Sequence, residues 1–373
     1  MPETENQAGE TDRRFMAAAI RLSDRHTGLT STNPSVGTLI VRNDGNRPVV
    51  VGQGVTALGG RPHAEPQALQ EAGELAHGAT AYVTLEPCAH HGRTPPCAEA
   101  LVAAGVTRVI GAASDPDPRV SGKGYAILRA AGIAVVEGVL AEQAADRMAG
   151  YLMRSLKKRP EVTLKLAVSR DGKIGRKGAG QVAITGEIAR RQVHLMRARS
   201  DAILVGIGTV LADDPVLDCR LDGLEERSPV RIILDAHARL PNASKLAASA
   251  RKIPVFAAAL ADADAGRRES LEQAGVQFLA AVEAEGRIAL PELLEDLGTR
   301  GMATVMVEGG AETAKHFLEE DLVDRIALFA GPGEIGADGV AAPIDEGHIP
   351  AAFRLIREAV FGEDRYVEYI RKS

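Results

Sequence analysis

Apolar residues in the first half of the chain alternate between strand-like runs and helical spacing. Phe15, Ala18 and Leu22 recur on one face of a segment that predicts a helix over residues 12–26. Apolar runs on both sides of a turn signal at 43–46 predict a hairpin. Strands that alternate with helices favour a three-layer α/β/α sandwich. The predicted strands are 36–41, 49–55, 81–85, 108–112 and 133–137, and the predicted helices start near His63 and cover 98–104, 124–131 and 141–156.

A charged break at residues 157–160, Lys-Lys-Arg-Pro, separates this half from a second α/β alternation. The halves share no visible repeat, so we predict two unlike domains, over residues 12–145 and 160–372. Residues 1–11 are polar and are expected to be disordered. In the second half the predicted strands are 162–168, 202–205, 230–234, 255–259, 304–307 and 325–329, and the predicted helices are 186–199, 262–274, 291–300 and 311–320.

Composition excludes several classes of protein. The chain has 373 residues, 45% of them hydrophobic and 25% charged, as in ordinary globular proteins. A net charge of -6, 3% aromatic residues and the absence of Trp argue against a nucleic-acid-binding surface. No apolar run approaches the roughly 20 residues of a membrane helix, and no signal peptide is visible. We expect a cytoplasmic protein without nucleic-acid or membrane partners.

The strongest chemical signal combines His63, Glu65, Cys88 and Cys97. Zinc deaminases carry a His-x-Glu motif at the start of one helix and a Pro-Cys…Cys motif at the start of the next. One imidazole and two thiolates supply three ligands of a tetrahedron and leave the fourth position for water, whose pKa zinc lowers. Glu65 is then free to act as the catalytic acid–base. The remaining cysteine, Cys219, makes the total odd and leaves no disulfide framework.

Several alternatives compete with this interpretation. His90 and His91 are rival ligands, but they lie on a loop without a matching Glu, so we expect them to line the substrate pocket. A nucleic-acid-editing deaminase would need a basic face and stacking aromatics, which the composition lacks. A structural zinc module is usually closed by four protein ligands and would leave Glu65 without a role.

The motifs at 33–37, 63–69 and 85–97 resemble the deaminase domain of the bifunctional riboflavin-biosynthesis deaminase–reductases, over about residues 12–140. The resemblance implies a cytidine-deaminase-like fold and deamination of a diamino-pyrimidinone that carries a ribosylamino 5-phosphate. Eight residues separate the two cysteines, more than in the Cys-x-x-Cys of cytidine deaminases. Asn33 is either a contact to the base edge or a turn residue before a proline.

Two glycine-rich turns join strands to helices in the second half, at 205–209 and 307–313. Such turns can receive a phosphate on backbone N–H groups. Neither is a complete Gly-x-Gly-x-x-Gly motif, so each alone is more typical of a tight strand–helix turn than of a phosphate site. Two of them in one α/β domain favour a dinucleotide cleft. Arg197 and Arg220 have forked donors that suit a substrate phosphate, although most arginines are simply solvated.

Five further motifs resemble the reductase domain of the same family, over about residues 160–372. The resemblance implies a dihydrofolate-reductase-like α/β fold and reduction of the ribosyl group to ribityl with NADPH. Either Lys165 or Asp213 is expected to donate the accompanying proton. The motifs are 165–174, 184–186, 199–206, 213–217 and 307–310.

The resemblance also implies which residues bind ligands. Family members often carry Trp where this chain has Ala183, so any stacking contact from that ring is lost here. We expect a homo-oligomer that acts on a small phosphorylated pyrimidine. The implied NADPH contacts are Ala167, Thr209, Asp213, Gly310, Ala311, Glu312, Thr313, Ala314, Lys315 and His316, and the implied substrate contacts are Gln181, Ala183, Arg197, Leu217, Arg220 and Glu308.

Overall fold

The computed structural model describes residues 8–45, 47–91, 95–178 and 180–372. The chain divides into two compact units, Met1–Lys158 and Arg159–Ser373. Within the described ranges, no helix has both the length and the apolar character needed to cross a bilayer.

In the described part of the first unit, five strands form one sheet in the order β2-β1-β3-β4-β5. The β2–β1–β3 pairs are antiparallel and the β3–β4–β5 pairs are parallel. Helices α1 and α5 contact each other, and so do α2, α3 and α4, which gives a layered α/β/α unit. The elements are α1 (Glu10–Ser23), β1 (Gly37–Asn43), β2 (Pro48–Val55), α2 (Ala64–Ala72), β3 (Thr80–Leu85), α3 (Cys97–Ala103), β4 (Arg108–Ala113), α4 (Lys123–Ala130), β5 (Ala134–Val136), α5 (Ala141–Arg147) and α6 (Ala149–Lys157).

Helix α2 lies unusually close to strand β2 because that strand presents glycines to it. A Cβ atom on Gly52 would lie 2.1 Å from the carbonyl oxygen of Ala68, and one on Gly54 would lie 2.1 Å from that of Ala64. No larger residue fits either position without moving the helix. This packing fixes the N-terminal end of α2, where His63 is located.

Two expectations for the first unit need correction. Residues 10 and 11 are helical rather than disordered, because Asp12 accepts a hydrogen bond from the backbone N–H of Gly9 and caps α1; residues 1–7 lie outside the described ranges. The single helix predicted over 141–156 is two helices, interrupted at Met148 (φ -116°), whose side chain is buried in the core. Asn46 of the predicted turn is also outside the described ranges.

In the described part of the second unit, nine strands form a sheet in the order β11-β10-β9-β8-β14-β6-β15-β18-β17. All pairs are parallel except those that β18 makes with β15 and β17. The elements are β6 (Glu161–Val168), β7 (Lys173–Arg176), α7 (Glu187–Arg197), β8 (Ala202–Gly206), α8 (Ile207–Asp213), β9 (Val230–Leu234), α9 (Lys245–Ala248), β10 (Val255–Ala259), α10 (Ala265–Ala274), β11 (Gln277–Ala280), β12 (Glu283–Ala284), β13 (Arg287–Ile288), α11 (Leu290–Thr299), β14 (Thr304–Val307), α12 (Ala311–Glu319), β15 (Arg325–Ala330), β16 (Gly339–Ala341), β17 (Phe353–Phe361) and β18 (Asp364–Arg371).

The order of strands creates a crevice beside β14. The chain leaves β8 towards β9 on one side, whereas β14 is inserted between β8 and β6. In open α/β sheets, ligands bind at the carboxyl ends of the strands, at the point where the connections from adjacent strands run to opposite sides. The predicted strands of this unit are all present, but the sequence pattern did not predict strands β7, β11, β12, β13, β16, β17 and β18 or helices α8 and α9.

Candidate functional sites

His63 directly precedes helix α2 and has extended backbone geometry (φ -66°, ψ 170°). Nε2 of Gln67, one turn further on, has two N–H donors and lies within hydrogen-bonding distance of the carbonyl oxygens of Val55 (2.5 Å), His63 (2.9 Å) and, more weakly, Pro62 (3.2 Å). Gln67 therefore ties the start of α2 to the end of β2 and orients the imidazole.

The two cysteines flank the loop between β3 and α3. Cys88 lies just after β3, and Cys97 is the first residue of α3. Glu86 stabilises this strand end, because its buried carboxylate accepts hydrogen bonds from the backbone N–H groups of Gly122 at 3.0 Å and Gly124 at 3.1 Å. Residues 92–94 of the intervening loop lie outside the described ranges.

His63, Cys88 and Cys97 meet in space. Nδ1 of His63 lies 3.3 Å from Sγ of Cys97 and 3.7 Å from Sγ of Cys88, and all three ligand atoms lie within 4.8 Å of one another. A tetrahedral zinc ion with its usual bond lengths separates such ligands by about 3.5–3.8 Å. The three atoms therefore suit a zinc ion in number, type and spacing.

The electrostatics of the two cysteines differ. The hydrogen bond from Cys97 lowers the pKa of Cys88 and favours its thiolate, the form that zinc binds, whereas the hydrogen bond to Cys88 and burial raise the pKa of Cys97. Glu65 is 4% exposed and contacts Cys97, and burial raises the pKa of its carboxyl group. The structure thus places a buried carboxyl group beside the three ligand atoms.

Asn33 closes a turn and packs against the segment that leads to His63. Its backbone N–H donates to the carbonyl oxygen of Thr30 at 3.1 Å, as expected for a turn residue. Its side-chain amide packs against Gly60, just before His63, so closely that a Cβ on Gly60 would lie 2.3 Å from Nδ2. Both interpretations of Asn33 are therefore compatible with its position.

His90 and His91 lie outside the three-ligand cluster. Nε2 of His91 is 3.1 Å from Oε1 of Glu99 on the surface. Nδ1 of His90 is buried and has no hydrogen-bond partner among the described residues.

Asp115 is a buried carboxyl group near Cys88 that the sequence pattern did not indicate. It lies just after β4, the neighbour of β3 in the sheet, and burial raises its pKa, with the charge of Cys88 adding to this effect. Its carboxylate accepts a hydrogen bond from Oη of Tyr151 at 2.9 Å. The available signal was an acidic residue at the end of a parallel strand, where binding residues collect.

The second unit contains a cleft of about 1010 Å³ at the carboxyl ends of β6, β8 and β14. Residues 174–178 and 180–185 line one side of it, and the starts of α8 and α12 contribute to the lining as well. The predicted residues that line the cleft are Lys165, Ala167, Gln181, Ala183, Arg197, Thr209, Asp213, Arg220, Glu308, Gly310, Ala311, Glu312 and Thr313.

Four predicted residues do not line the cleft. Ala314 and Leu217 are buried in the core. Lys315 forms an ion pair with Glu319, and Nε2 of His316, whose pKa is lowered by burial, lies 3.7 Å from Oε1 of Glu320. The residues of α12 that line the cleft therefore end at Thr313, in its first turn.

The starts of α8 and α12 are held together by threonines. Oγ1 of Thr209 accepts a hydrogen bond from the N–H of Gly310 at 3.0 Å. The side chain of Thr313 packs closely against two glycines. A Cβ added to Gly206 would lie 2.4 Å from Oγ1 of Thr313, and a Cβ added to Gly309 would lie 2.5 Å from Cβ of Thr313. The glycines permit this approach, and the resulting cradle of backbone N–H groups suits a dinucleotide phosphate.

A buried ion-pair network forms one wall of the cleft. Arg197 binds Glu308 through two hydrogen bonds of 2.8 and 3.0 Å, and Nζ of Lys165 lies 3.9 Å from the same carboxylate. Burial raises the pKa of Glu308, but the charges of Arg197 and Lys165 outweigh it and lower the pKa to about 2. Burial lowers the pKa of Lys165. Burial also raises the pKa of Asp213, at the end of α8.

Ala183 lies between the main cleft and a second cavity of about 140 Å³. The small side chain therefore leaves open space next to the position where a larger ring would stack.

Two protein-family models match the chain. Residues 9–113 match the cytidine and deoxycytidylate deaminase zinc-binding region, and residues 160–367 match the RibD C-terminal domain.

Similar proteins extend over nearly the whole chain. The riboflavin biosynthesis protein RibD of Escherichia coli is 40% identical over 88% of this chain and 89% of its own length. That of Actinobacillus pleuropneumoniae is 37% identical over 96% and 95%. Among solved structures, Acinetobacter baumannii RibD superposes with a TM-score of 0.83 at 37% identity, covering 98% of this chain and 99% of that one. A Thermotoga maritima diaminohydroxyphosphoribosylaminopyrimidine deaminase/5-amino-6-(5-phosphoribosylamino)uracil reductase has a TM-score of 0.83 at 31% identity, covering 97% and 99%.

Proposed function

The chain belongs to the RibD family of riboflavin-biosynthesis proteins, and on that premise we propose which of its residues carry each activity. The protein is a bifunctional enzyme that uses zinc and NADPH and acts on small phosphorylated pyrimidines. It deaminates 2,5-diamino-6-(5-phosphoribosylamino)pyrimidin-4(3H)-one and then reduces the ribosyl side chain, which gives 5-amino-6-(5-phosphoribitylamino)uracil. We assign the deaminase to residues 12–145 and the reductase to 160–372. The observation that carries the deaminase assignment is the convergence of three ligand atoms beside a buried carboxyl group.

In the deaminase, His63, Cys88 and Cys97 hold the zinc ion. A bound zinc ion supplies an activated water near neutral pH. Glu65 accepts a proton from the attacking water and passes it to the ring nitrogen. It then transfers a second proton, from the newly formed hydroxyl group, to the amine, which leaves as ammonia. Burial, which raises the pKa of the Glu65 carboxyl group, favours this acid–base role. Asn33 contacts the edge of the base.

In the reductase, the first turn of α12 and Thr209 position the cofactor phosphates. NADPH supplies the hydride when bound. We assign the proton donor to Lys165, because it shares the Glu308 network at the substrate end, whereas Asp213 lies on α8 with Thr209 at the cofactor end. Arg220 is the arginine that meets the substrate phosphate: its side chain is 61% exposed, whereas Arg197 is 11% exposed and bound to Glu308.

One experiment tests both activities. The protein is incubated with the diamino-pyrimidinone phosphate, with and without NADPH, while ammonia and cofactor oxidation are followed. We expect ammonia in both cases and NADPH oxidation only after deamination. Cofactor oxidation without ammonia release would refute the order of steps.

Zinc removal separates this function from a structural zinc module. Chelation should abolish ammonia release and leave the first unit folded, because the unit already has a large apolar core. Loss of its circular dichroism on chelation, with recovery on adding zinc back, would instead favour a structural site.

We further propose a homodimer formed through strand β17. This edge strand exposes Val360 at 71% and Leu355 at 44%, and nearby Ile188 is 55% exposed. Exposed apolar edges are typical of association surfaces. Light scattering should give twice the chain mass, and Val360→Lys should reduce it to one chain; a wild-type monomer at micromolar concentration contradicts the proposal.

We propose a cytoplasmic location because all three cysteines are free and two of them serve as ligands. Recovery of the protein in a secreted or periplasmic fraction would contradict this.

A further inference from the structure

The segment that carries Arg220 is held from two sides by arginines. Arg197 of α7 donates to the carbonyl oxygen of Asp218 at 3.0 Å, and Nδ1 of His194 lies 3.2 Å from the same oxygen. From the other side, Arg231 of β9 donates to the carbonyl oxygen of Val216 at 3.1 Å. The backbone on both sides of Leu217 is therefore fixed, and so is the origin of the Arg220 side chain.

Arg231 places a buried positive charge in this region. Its side chain is 0% exposed, and its hydrogen-bond acceptors among the described residues are all neutral: the carbonyl oxygens of Val216, Ser249 and Ile253 and the hydroxyl of Ser249. A buried cation is costly unless an anion lies near it. Burial lowers the pKa of Arg231 to about 10, and the negative charge of Asp218 opposes this lowering.

The Asp218 carboxylate lies next to the Arg220 guanidinium. Its Oδ1 is buried, has no hydrogen-bond partner among the described residues and lies 3.3 Å from Nε of Arg220. The Asp218 side chain is 19% exposed, against 61% for Arg220. Its charge acts on Arg197 as well as on Arg231. A carboxylate thus occupies the place next to Arg220 that an incoming anion would favour.

We propose that Asp218 is an internal counter-anion that competes with the substrate phosphate for Arg220 and so sets the affinity of the reductase for phosphate monoesters. The inference rests on the proposed function of Arg220 as the phosphate contact. Substrate and product of the reduction carry the same phosphate, so the carboxylate weakens the binding of both and favours product release. Removing the negative charge strengthens phosphate binding, because a like charge no longer faces the dianion.

The test compares Asp218→Asn with the wild type, using inorganic phosphate as the probe. Phosphate inhibition of NADPH oxidation is measured at constant ionic strength with the pre-deaminated substrate. We expect the inhibition constant of phosphate and the KM of the substrate both to fall about fivefold, with the KM of NADPH unchanged. Asp222→Asn is the matched control: it makes the same change in net charge on the same segment, at an exposed position, and should shift these constants less than twofold.

The outcomes are distinguishable. An unchanged or weaker phosphate inhibition in Asp218→Asn overturns the inference, provided that Arg220→Ala weakens the inhibition. If Arg220→Ala leaves phosphate inhibition unchanged, the proposed phosphate contact itself is wrong. Asp218→Ser provides the same comparison if the Asn variant does not fold, since both keep the backbone carbonyl that Arg197 and His194 contact.

Discussion

The two sites of this enzyme are built in opposite ways. In the deaminase unit, the proposed zinc ligands and the carboxyl group of Glu65 lie at the starts of α2 and α3 and just after β3, within 35 residues of sequence from His63 to Cys97. In the reductase unit, the cleft is lined by residues from Lys165 to Val340, across most of the unit. The first site is a compact set of reactive groups, and the second is a large cavity with a few polar contacts.

The difference follows from where the chemistry resides. A zinc ion must be held by specific atoms at fixed distances, so His, Cys and Glu are required at particular positions. NADPH brings its own reactive group, so the protein mainly supplies shape, orientation and charge. Many different sequences can supply shape, orientation and charge around a cofactor. The glycine-rich turns of the reductase, considered without the family resemblance, therefore indicate a dinucleotide site only weakly.

The substitution with the largest expected effect inactivates the deaminase site and leaves the reductase active. Glu65→Gln should retain zinc and reduce the deamination rate by about a thousandfold or more, because the proton carrier is lost. Reduction of pre-deaminated substrate should stay at the wild-type rate. Ammonia release, NADPH oxidation and zinc content are measured together, with Glu74→Gln, an exposed Glu soon after α2, as control. Deamination within a few-fold of wild type would remove Glu65 from the mechanism, and a slowed reduction would show that the sites are not independent.

The sequence predicted the two-unit organisation and the buried strands well, but it predicted the exposed strands less well. The strands that are buried on both faces, such as β8 and β14, follow from their apolar runs alone. Strand β17 was missed because most of its residues are at least partly exposed and show no alternation. The residues that we assign to the deaminase site form a recognisable motif in the sequence. Asp115 is not part of that motif, because its position near Cys88 depends on β4 lying beside β3.

We expect single substitutions to lower the reductase rate less than Glu65→Gln lowers the deaminase rate, with Lys165 as the most sensitive position of the reductase. Lys165→Met should lower the rate of NADPH oxidation about a hundredfold, because the proton donor is lost, and leave the KM of NADPH unchanged. Asp213→Asn is the matched test at the other end of the cleft and should reduce the rate only a few-fold. The reverse ranking would transfer the role of proton donor to Asp213.

Acid should weaken the reductase network through Glu308. Its folded pKa of about 2 lies below its ordinary value of 4.5, so its contribution to the free energy of unfolding is complete above about pH 4.5 and is lost as the pH falls through 2. The shift corresponds to a contribution of about 3 kcal/mol. Glu308→Gln should therefore be less stable than wild type at pH 6, and the gap should narrow towards pH 2. Hydrogen exchange of peptides from β6 and β14 measures this, and a gap that is constant with pH would contradict it.

The smallest effect concerns the space beside Ala183. A cavity of about 140 Å³ adjoins this residue, so an aromatic ring there can be accommodated and can stack on the substrate. Stacking contributes about 0.5–1.5 kcal/mol, so Ala183→Trp should lower the KM of the pre-deaminated substrate about two- to tenfold without changing the deaminase. Ala183→Leu fills the cavity without an aromatic face. If Leu lowers the KM as much as Trp, the gain comes from filling space; if neither does, the substrate ring does not reach this wall, and the reductase site depends on its ion-pair network instead.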